Sequence, residues 1–224
     1  MLKISVLIFA TMLAADLAAA AVGDAYVYRI SNGYNNEPRG KISYRVDKAE
    51  ADRVEMAVTT DTPGAGSTRT EVYTKNGNWL RHPLASHDQL RELEFATALP
   101  VYAPAGETSG SWSARVDAVE PATRQRSSVR IDGEIAGRER ITVPAGTFDT
   151  IRIVRRTYAG DWDGFKRETR IHDVEWYAPA LGRPAKSESK SEWQDTSRCG
   201  RGGCPWFRGD WNIYELAEIS PARP

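Results

Sequence analysis

The sequence predicts an all-β, mainly antiparallel fold, and three observations carry that prediction. Short runs rich in Val, Ile, Thr and Tyr recur along the chain, with polar and apolar residues alternating. Turn sequences rich in Gly, Pro, Asn and Asp separate these runs. There is no alternation of strands with long helical segments. Because a long series of antiparallel strands must curl or close to protect its edges, we expect a strongly curved sheet, half-barrel or barrel, with one short helix at most.

The first 21 residues have the pattern of a cleavable signal peptide. Lys3 precedes the apolar run ISVLIFATML, and small residues follow, with cleavage expected after Ala20 or Ala21. The apolar run is short for a membrane span, although a retained anchor helix is the alternative. No Cys follows the small residues, so a lipid-anchored form is not indicated. We therefore expect a periplasmic or secreted protein, peripheral to the membrane at most, whose residues 22–224 form a single antiparallel β domain.

The charges balance. Lys and Arg together number 30, as do Asp and Glu, and hydrophobic residues make up 41% of the chain. A nucleic-acid-binding protein is expected to carry a basic excess on one face, so we expect no nucleic-acid partner. The apolar fraction is sufficient for a core, and the seven Trp residues suit either core packing or a binding cleft.

In chain order, the early and late parts of the sequence predict strands joined by short turns. Asn76-Gly77 between two alternating runs is the strongest hairpin signal in the chain. The segment 83–95 differs, because its leucines have a loosely helical spacing and Ser86 is a possible N-cap with Gln89 three residues later; it is the predicted helix. The predicted strands outside the central region are 25–31, 41–46, 52–60, 68–75, 78–82, 111–119, 127–137 and 210–219.

The central region, 139–193, predicts three long neighbouring strands. From Phe148 to Tyr158 the period is two, so Ile153 and Arg155 share one face while Val154 and Arg156 share the other. A turn at AGDWDG then leads to the returning run. Ten to twelve strands are expected in all, with no internal repeat of fixed period. We interpret KSESKSE, near the end of the region, as a polar strand.

Two motifs in this region carry a resemblance to a known group. They are VPAGTF at residues 143–148 and WYAP at residues 176–179, with Gly182 just after. With the looser match LPVYAPAGETSGSW, they resemble the TapB-like proteins and related domain-of-unknown-function families of exported bacterial proteins. The resemblance covers about 99–193 and implies an antiparallel sheet curved into a half-barrel. It implies no catalytic residue, and the segment CGRGGCPWF lies outside the pattern.

Few residues suggest catalysis or metal binding. The three histidines are His82, His87 and His172, and the first two lie near Asp88, so a metal or acid–base pair is conceivable. No third ligand stands at a defined spacing, and no hydrolase, metalloprotease or nucleotide-binding motif is present. Asp161 and Asp163 flank a turn, which explains them as turn residues. We predict no catalytic residue, no metal and no cofactor.

The only two cysteines, Cys199 and Cys204, enclose GRGG. In an exported chain this pair predicts a disulfide that ties a C-terminal loop, because a zinc site needs more ligands and redox pairs favour two-residue spacing. Pro205, Trp206 and Phe207 follow. They suit either recognition of a partner or glycan or simple coverage of one end of the sheet.

Two classes of function follow. The first is a non-catalytic module that binds an apolar or amphipathic ligand in the curved sheet. The second is an envelope structural or accessory protein that contacts a partner protein through its aromatic, disulfide-tied loop or through an exposed strand edge. An enzyme with a dispersed site is a third, less favoured class. Strand parity and the expectation of an apolar concave face select five ligand-binding candidates: Phe148, Val154, Tyr158, Val174 and Trp176.

Overall fold

A computed structural model describes residues 21–62, 65–103 and 109–222. The predicted signal peptide therefore lies outside the described residues, apart from Ala21. The described chain folds into twelve strands. They are β1 (Ala25–Asn32), β2 (Pro38–Ala49), β3 (Arg53–Thr62), β4 (Ala65–Thr74), β5 (Trp79–Ser86), β6 (Gln89–Leu99), β7 (Gly110–Val119), β8 (Arg126–Val143), β9 (Gly146–Tyr158), β10 (Arg170–Ala178), β11 (Arg183–Gln194) and β12 (Trp206–Ser220).

Every strand pairs antiparallel with its neighbours in sequence, and β1 pairs with β12, so the sheet closes into a barrel. The prediction of an all-β, strongly curved antiparallel sheet is confirmed. Two single-turn 3-10 segments, Pro179–Leu181 and Thr196–Arg198, interrupt the connections. No helix in the described part of the chain has the length and apolar character of a membrane span.

The predicted helix over 83–95 is wrong. Its residues form the end of β5 and most of β6, joined at His87 and Asp88. The leucines do not share one face, because Leu84 and Leu93 are buried whereas Leu90 is 71% exposed. Ser86 pairs with Gln89 across the turn instead of capping a helix. Helical spacing of a few leucines is a weak local preference, and the hydrogen bonding available between neighbouring strands overrides it.

Two clusters of apolar side chains pack inside the barrel. One is formed mainly by β1, β2 and β3 and includes Tyr26, Ile42 and Val58. The other is formed mainly by β5 to β8 and includes Leu93 and Ile131. Tyr73 packs against both clusters. Polar residues line the interior between them, so the barrel interior is not one continuous apolar core.

In an up-and-down barrel, alternate turns lie at the same end. We call the end with the β4–β5 turn, the β6–β7 connection and the β8–β9 turn the plugged end. The β8–β9 turn reaches across to β12 there, since the Ala145 N–H donates to the Leu216 carbonyl at 3.0 Å. Tyr102, from the β6–β7 connection, donates its N–H to the Asn78 side chain at 3.2 Å. The loops at 159–169 and 195–205 lie at the opposite end, which we call the loop end.

The seam between β4 and β5 is short. It consists of two residue pairs, Val72 with Arg81 and Tyr73 with Trp79. Beyond those pairs, towards the loop end, the two strands are not joined. Pro83 of β5, which has no N–H to donate, lies in this unpaired stretch, as is usual for edge positions. The barrel therefore has a lateral gap on this side.

Candidate ligand cavity

The barrel encloses a cavity of about 1170 Å³. Sites for small molecules typically occupy roughly 300–1,000 Å³, so this cavity is large enough for a ligand of that class. Its wall includes the exposed Asp88 of the β5–β6 turn and Leu90 of β6, next to the gap between β4 and β5, and it extends to the exposed Glu50 and Lys75 at the plugged end. The cavity therefore reaches solvent at the gap.

The inward faces of β9 and β10 differ from the predicted ones. The cavity wall includes Arg155 of β9 and Ile171, Asp173 and Glu175 of β10. Their neighbours in sequence point to the opposite side of the sheet, because side chains alternate along a strand. The barrel interior thus uses the odd-numbered residues in the stretches 153–157 of β9 and 171–175 of β10.

The five predicted ligand-binding residues are absent from the cavity wall among the described residues. On the outer face, Arg130 covers the Tyr158 ring at 4.0 Å, and Trp176 donates its indole N–H to Glu139 at 2.7 Å. Val154 pairs with Val174 on the same outer face, and Phe148 packs at the apolar cluster beside the β8–β9 turn. The expectation of an inward face is wrong for Val154, Tyr158, Val174 and Trp176, because charged residues beside them in sequence find partners inside the barrel. Phe148 does pack against the interior apolar cluster, but it does not line the cavity.

The polar strand KSESKSE has a clear position in the wall. It forms part of β11, and Ser187, Ser189 and Ser191 line the cavity. The alternating Lys186 and Glu188 are within 3.5 Å of each other on the outer face. Small hydroxyl side chains leave space and offer hydrogen bonds to a ligand or to water. A serine at every second position of a strand was the sequence signal for a polar interior.

A first charged cluster surrounds Glu71 of β4, which is completely buried. The Arg69 guanidinium lies 2.6 Å from its carboxylate and the His82 Nδ1 lies 3.0 Å away. The Tyr73 hydroxyl donates to the same carboxylate. Burial alone raises the pKa of Glu71, but these three neighbours outweigh it and lower the pKa to about 2.

A second charged cluster surrounds Arg155 of β9. Its guanidinium pairs with Glu175, lies 3.8 Å from Asp173, and donates to the Val101 carbonyl at 3.0 Å. The Tyr102 hydroxyl donates to Glu175 at 3.1 Å. Burial raises the pKa of Asp173 against the opposing effect of Arg155. This cluster ties β9 and β10 to the connection that covers the plugged end.

Arg183, the first residue of β11, has different surroundings. Its Nη1 lies 2.7 Å from the Met56 sulfur, and its Nε lies 3.5 Å from the Tyr28 hydroxyl. The guanidinium carbon also lies 4.4 Å from the Tyr44 ring centre and 4.9 Å from the Tyr26 ring centre. Among the described residues, no carboxylate oxygen lies within 4 Å of it to form an ion pair.

The tyrosines around the cavity stay uncharged at neutral pH. Burial raises the pKa values of Tyr44, Tyr73 and Tyr102 well above the usual value near 10. Burial also raises the pKa of Tyr214 to about 12. These rings therefore offer apolar faces and neutral hydroxyl groups to the cavity.

The three histidines do not meet. His82 lies beside Glu71, whereas His87 donates its backbone N–H to Thr169 and its ring Nε2 lies 3.0 Å from the Arg167 carbonyl. His172 lies 3.4 Å from Glu192. No group of three or more potential metal-ligating residues occurs in the parts of the chain that the structure describes.

Asp161 and Asp163 have separate positions in the β9–β10 loop. Buried Asp161 accepts the Thr169 N–H at 2.6 Å and the Thr169 hydroxyl at 2.7 Å. Asp163 is exposed and bonds with Lys166 through the backbone. The Asp161 carboxylate thus anchors the loop at Thr169 and also lies 3.8 Å from His87 Nδ1 in the β5–β6 turn. Asp163, by contrast, is a turn residue.

A disulfide joins Cys199 and Cys204 at the loop end, with their Cα atoms 4.0 Å apart. Near it, Trp162, Phe165 and Trp206 are exposed. A smaller cavity of about 180 Å³ lies between Trp162 and Trp206, with Arg167, Glu168, Arg170 and Gln194 in its wall. The Arg170 guanidinium lies 4.4 Å from the Trp206 ring centre.

The barrel is similar to solved structures. One is the crystal structure of a candidate lipoprotein from Parabacteroides distasonis, with a TM-score of 0.51 and 17% identity over 89% of this chain and 96% of that chain. Another is a candidate exported protein with a YmcC-like fold from Bacteroides fragilis, with a TM-score of 0.50 and 13% identity over 90% of this chain and 97% of that chain. The chain matches no protein-family model and no curated protein sequence. The likeness establishes a shared fold with proteins described as exported or as lipoproteins.

Proposed function

We propose that this protein is an exported, non-catalytic carrier or receptor that binds one small amphipathic molecule inside the barrel. The cavity of about 1170 Å³ is the observation that carries the proposal. If the barrel had only a structural role, side chains that filled this space would make it more stable, because a large void loses packing contacts and burial energy.

The wall of the cavity suits a molecule with an apolar body and a polar group. Ile42, Met56 and Leu181 contribute apolar surface, and tyrosine rings contribute flat apolar faces. Serines of β11 and buried charged groups contribute hydrogen bonds. Ligand sites commonly combine predominantly apolar walls with a few placed polar groups.

Two features favour binding without turnover. A general acid or base needs a titratable group that is free to exchange a proton with the substrate. In this cavity, Glu71 is held by three neighbours and Glu175 by Arg155 and Tyr102. These two carboxylates thus serve as structural counterions, which favours a binding role for this part of the cavity.

A neutral fluorescent probe, phenylnaphthylamine, tests the proposal directly. We expect the purified protein to bind it with one saturable site and increased emission. The double variant Ser187→Phe/Ser189→Phe fills the cavity from β11 and should weaken the probe's Kd by about tenfold or more, since two rings occupy space that the ligand needs. Fluorescence titration provides the measurement.

The matched control also introduces two phenylalanines into β11, but on the opposite face of the strand. Glu188→Phe/Lys190→Phe should keep probe binding within about threefold of the original protein, because these side chains point outward. Circular dichroism checks that both variants are folded. Equal loss of probe binding in the two variants, or no saturable binding by the original protein, would contradict a ligand site in the barrel.

We further propose that the chain is a distant relative of the TapB-like exported proteins. The two motifs that carry that resemblance both lie at the plugged end. VPAGTF forms the β8–β9 turn, and WYAP ends β10 and enters the 3-10 turn. Their shared position supports a common way of covering this end of the barrel.

A second candidate function is attachment to an envelope partner through the loop end. Trp162 is 60% exposed and Phe165 is 66% exposed, next to the disulfide-tied loop. Exposed aromatic residues of this kind are enriched at binding surfaces. A photoreactive residue placed at position 162 tests this in cells, and one at the exposed position 149 is the control. A specific partner should crosslink from position 162 only, whereas random collisions give crosslinks from both positions.

A further inference from the structure

Three arginines extend into the interior of the barrel, and two of them have carboxylate partners. Arg69 pairs with Glu71 at 2.6 Å, and Arg155 pairs with Glu175 and lies near Asp173. Arg183 also lines the cavity, but no carboxylate of the described residues lies within 4 Å of it. The interior thus contains one guanidinium whose charge is not paired.

The contacts of Arg183 use only part of its hydrogen-bonding capacity. A guanidinium has five N–H donors. Here Nη1 faces the Met56 sulfur, a weak acceptor, and Nε faces the Tyr28 hydroxyl at the limit of hydrogen-bond distance. That hydroxyl already donates to the Pro184 carbonyl at 2.8 Å. Nη2 has no hydrogen-bond partner among the described residues, which leaves an edge of the guanidinium available.

Arg183 is half-buried, and a partly desolvated cation without a counterion is unfavourable. The rings of Tyr26 and Tyr44 compensate only part of that cost. A carboxylate or phosphate supplies the missing charge and matches the planar donor geometry of arginine. We propose that Arg183 is the anchor for the anionic group of the ligand. This inference rests on the proposed ligand site in the barrel.

The surroundings of Arg183 also indicate the rest of that ligand. Met56, Leu181 and the Tyr28 and Tyr44 rings lie in the same part of the wall. These side chains favour an aliphatic or aromatic body rather than a sugar or a nucleotide, which need many hydrogen-bond partners. The ligand class is therefore an anionic amphiphile, with one carboxylate or phosphate on an apolar body.

A pair of fluorescent probes separates this inference from the proposed function. Phenylnaphthylamine is neutral, and anilinonaphthalene sulfonate has a similar aromatic body with an anionic group. Arg183→Met should weaken binding of the anionic probe by about tenfold or more while changing binding of the neutral probe by less than about threefold. Arg29→Met is the matched control, because Arg29 is exposed on the outer face of β1 and does not line the cavity. The Kd of each probe for this variant should stay within about threefold of its value for the original protein.

A second measurement needs no variant and so does not depend on its folding. Decanoate, decyl phosphate and decanol compete with phenylnaphthylamine on the original protein. We expect at least one of the two anions to displace the probe at a concentration about tenfold or more below that of decanol. Preference for decanoate identifies a carboxylate ligand, preference for decyl phosphate identifies a phosphate ligand, and equal displacement by both identifies an anion site that accepts either.

The outcomes are distinguishable. If the original protein binds neither probe, the proposed function is wrong and the anion site is wrong with it. If it binds the neutral probe but decanol competes as well as both anions, the cavity binds ligands without an anion anchor and this inference alone is overturned. It is overturned in the same way if folded Arg183→Met binds the anionic probe as tightly as the original protein does.

Discussion

Glu71 shows how a single residue organises the interior. It is completely buried, yet Arg69, Tyr73 and His82 surround its carboxylate, and they lower its pKa to about 2 from a usual value near 4.5. A carboxyl group with a depressed pKa stabilises the folded state above the pKa of the unfolded chain and loses that contribution as the pH falls towards the folded pKa. A shift of this size corresponds to roughly 3 kcal/mol.

The first prediction concerns Glu71→Gln. We expect the free energy of unfolding at pH 7 to fall by roughly 3–5 kcal/mol, because Arg69 loses its buried counterion. We also expect the difference between the original protein and the variant to shrink between about pH 4.5 and pH 2, where Glu71 becomes protonated. Urea denaturation at several pH values measures both quantities.

The comparison must be made as a difference because Asp173, whose pKa is raised by burial, changes stability in the opposite direction on acidification. Asp149→Asn is the control: this carboxylate pairs with Arg140 at 2.7 Å on the exposed surface, and its removal should leave stability unchanged within error. A variant as stable as the original protein at pH 7 would show that the Glu71 cluster does not stabilise the barrel.

At the scale of elements, the β4–β5 turn and the β6–β7 connection meet at the plugged end. Gly77 has a φ of 79°, which favours glycine, and a Cβ atom placed on it would lie 2.7 Å from the Tyr102 ring. Glycine is thus required at this position by both the local turn and the contact with a distant segment. Tyr102 lines the cavity there, and its hydroxyl donates to Glu175.

The second prediction is that Gly77→Ala lowers stability more than Gly164→Ala does. Both positions have positive φ, but nothing lies within 4 Å of a Cβ atom at Gly164. The left-handed conformation costs roughly 1–2 kcal/mol in either variant. Only Gly77→Ala adds overpacking, which costs roughly 1–3 kcal/mol. Thermal denaturation compares the stabilities of the two variants. If both lose the same amount of stability, the Tyr102 ring moves away from the new methyl group without cost.

At the scale of the whole molecule, β1 begins at Ala25 and pairs with both β2 and β12, so it completes the barrel. Cleavage after Ala20 or Ala21 leaves this strand intact. We predict that the 224-residue chain, produced in a bacterium with a working export pathway, yields periplasmic protein whose intact mass corresponds to a start at Ala21 or Val22. Uncleaved protein in the cytoplasm would show that residues 1–21 are not a signal peptide, and a variant without residues 2–13 should remain cytoplasmic.

Local patterns determined much of the architecture. The period of two, the β-branched residues and the turn signals predicted ten to twelve antiparallel strands, and the described residues form twelve. Asn76-Gly77 predicted the β4–β5 hairpin, which forms. These features depend on residues close together in sequence, where backbone preferences and alternation act directly.

The tertiary structure alone decided which face of each strand lies inside and whether the sheet closes. In β9, apolar and charged residues occur on both faces, so alternation leaves two choices of inward face. Arg155 lies inside because Glu175, 20 residues away, and Asp173 compensate its charge there. Arg183 lies beside Met56, 127 residues away. Charge compensation between side chains, whether across paired strands or between segments far apart in sequence, has no periodic signature, so the polar interior and its ligand cavity emerge only when the barrel closes.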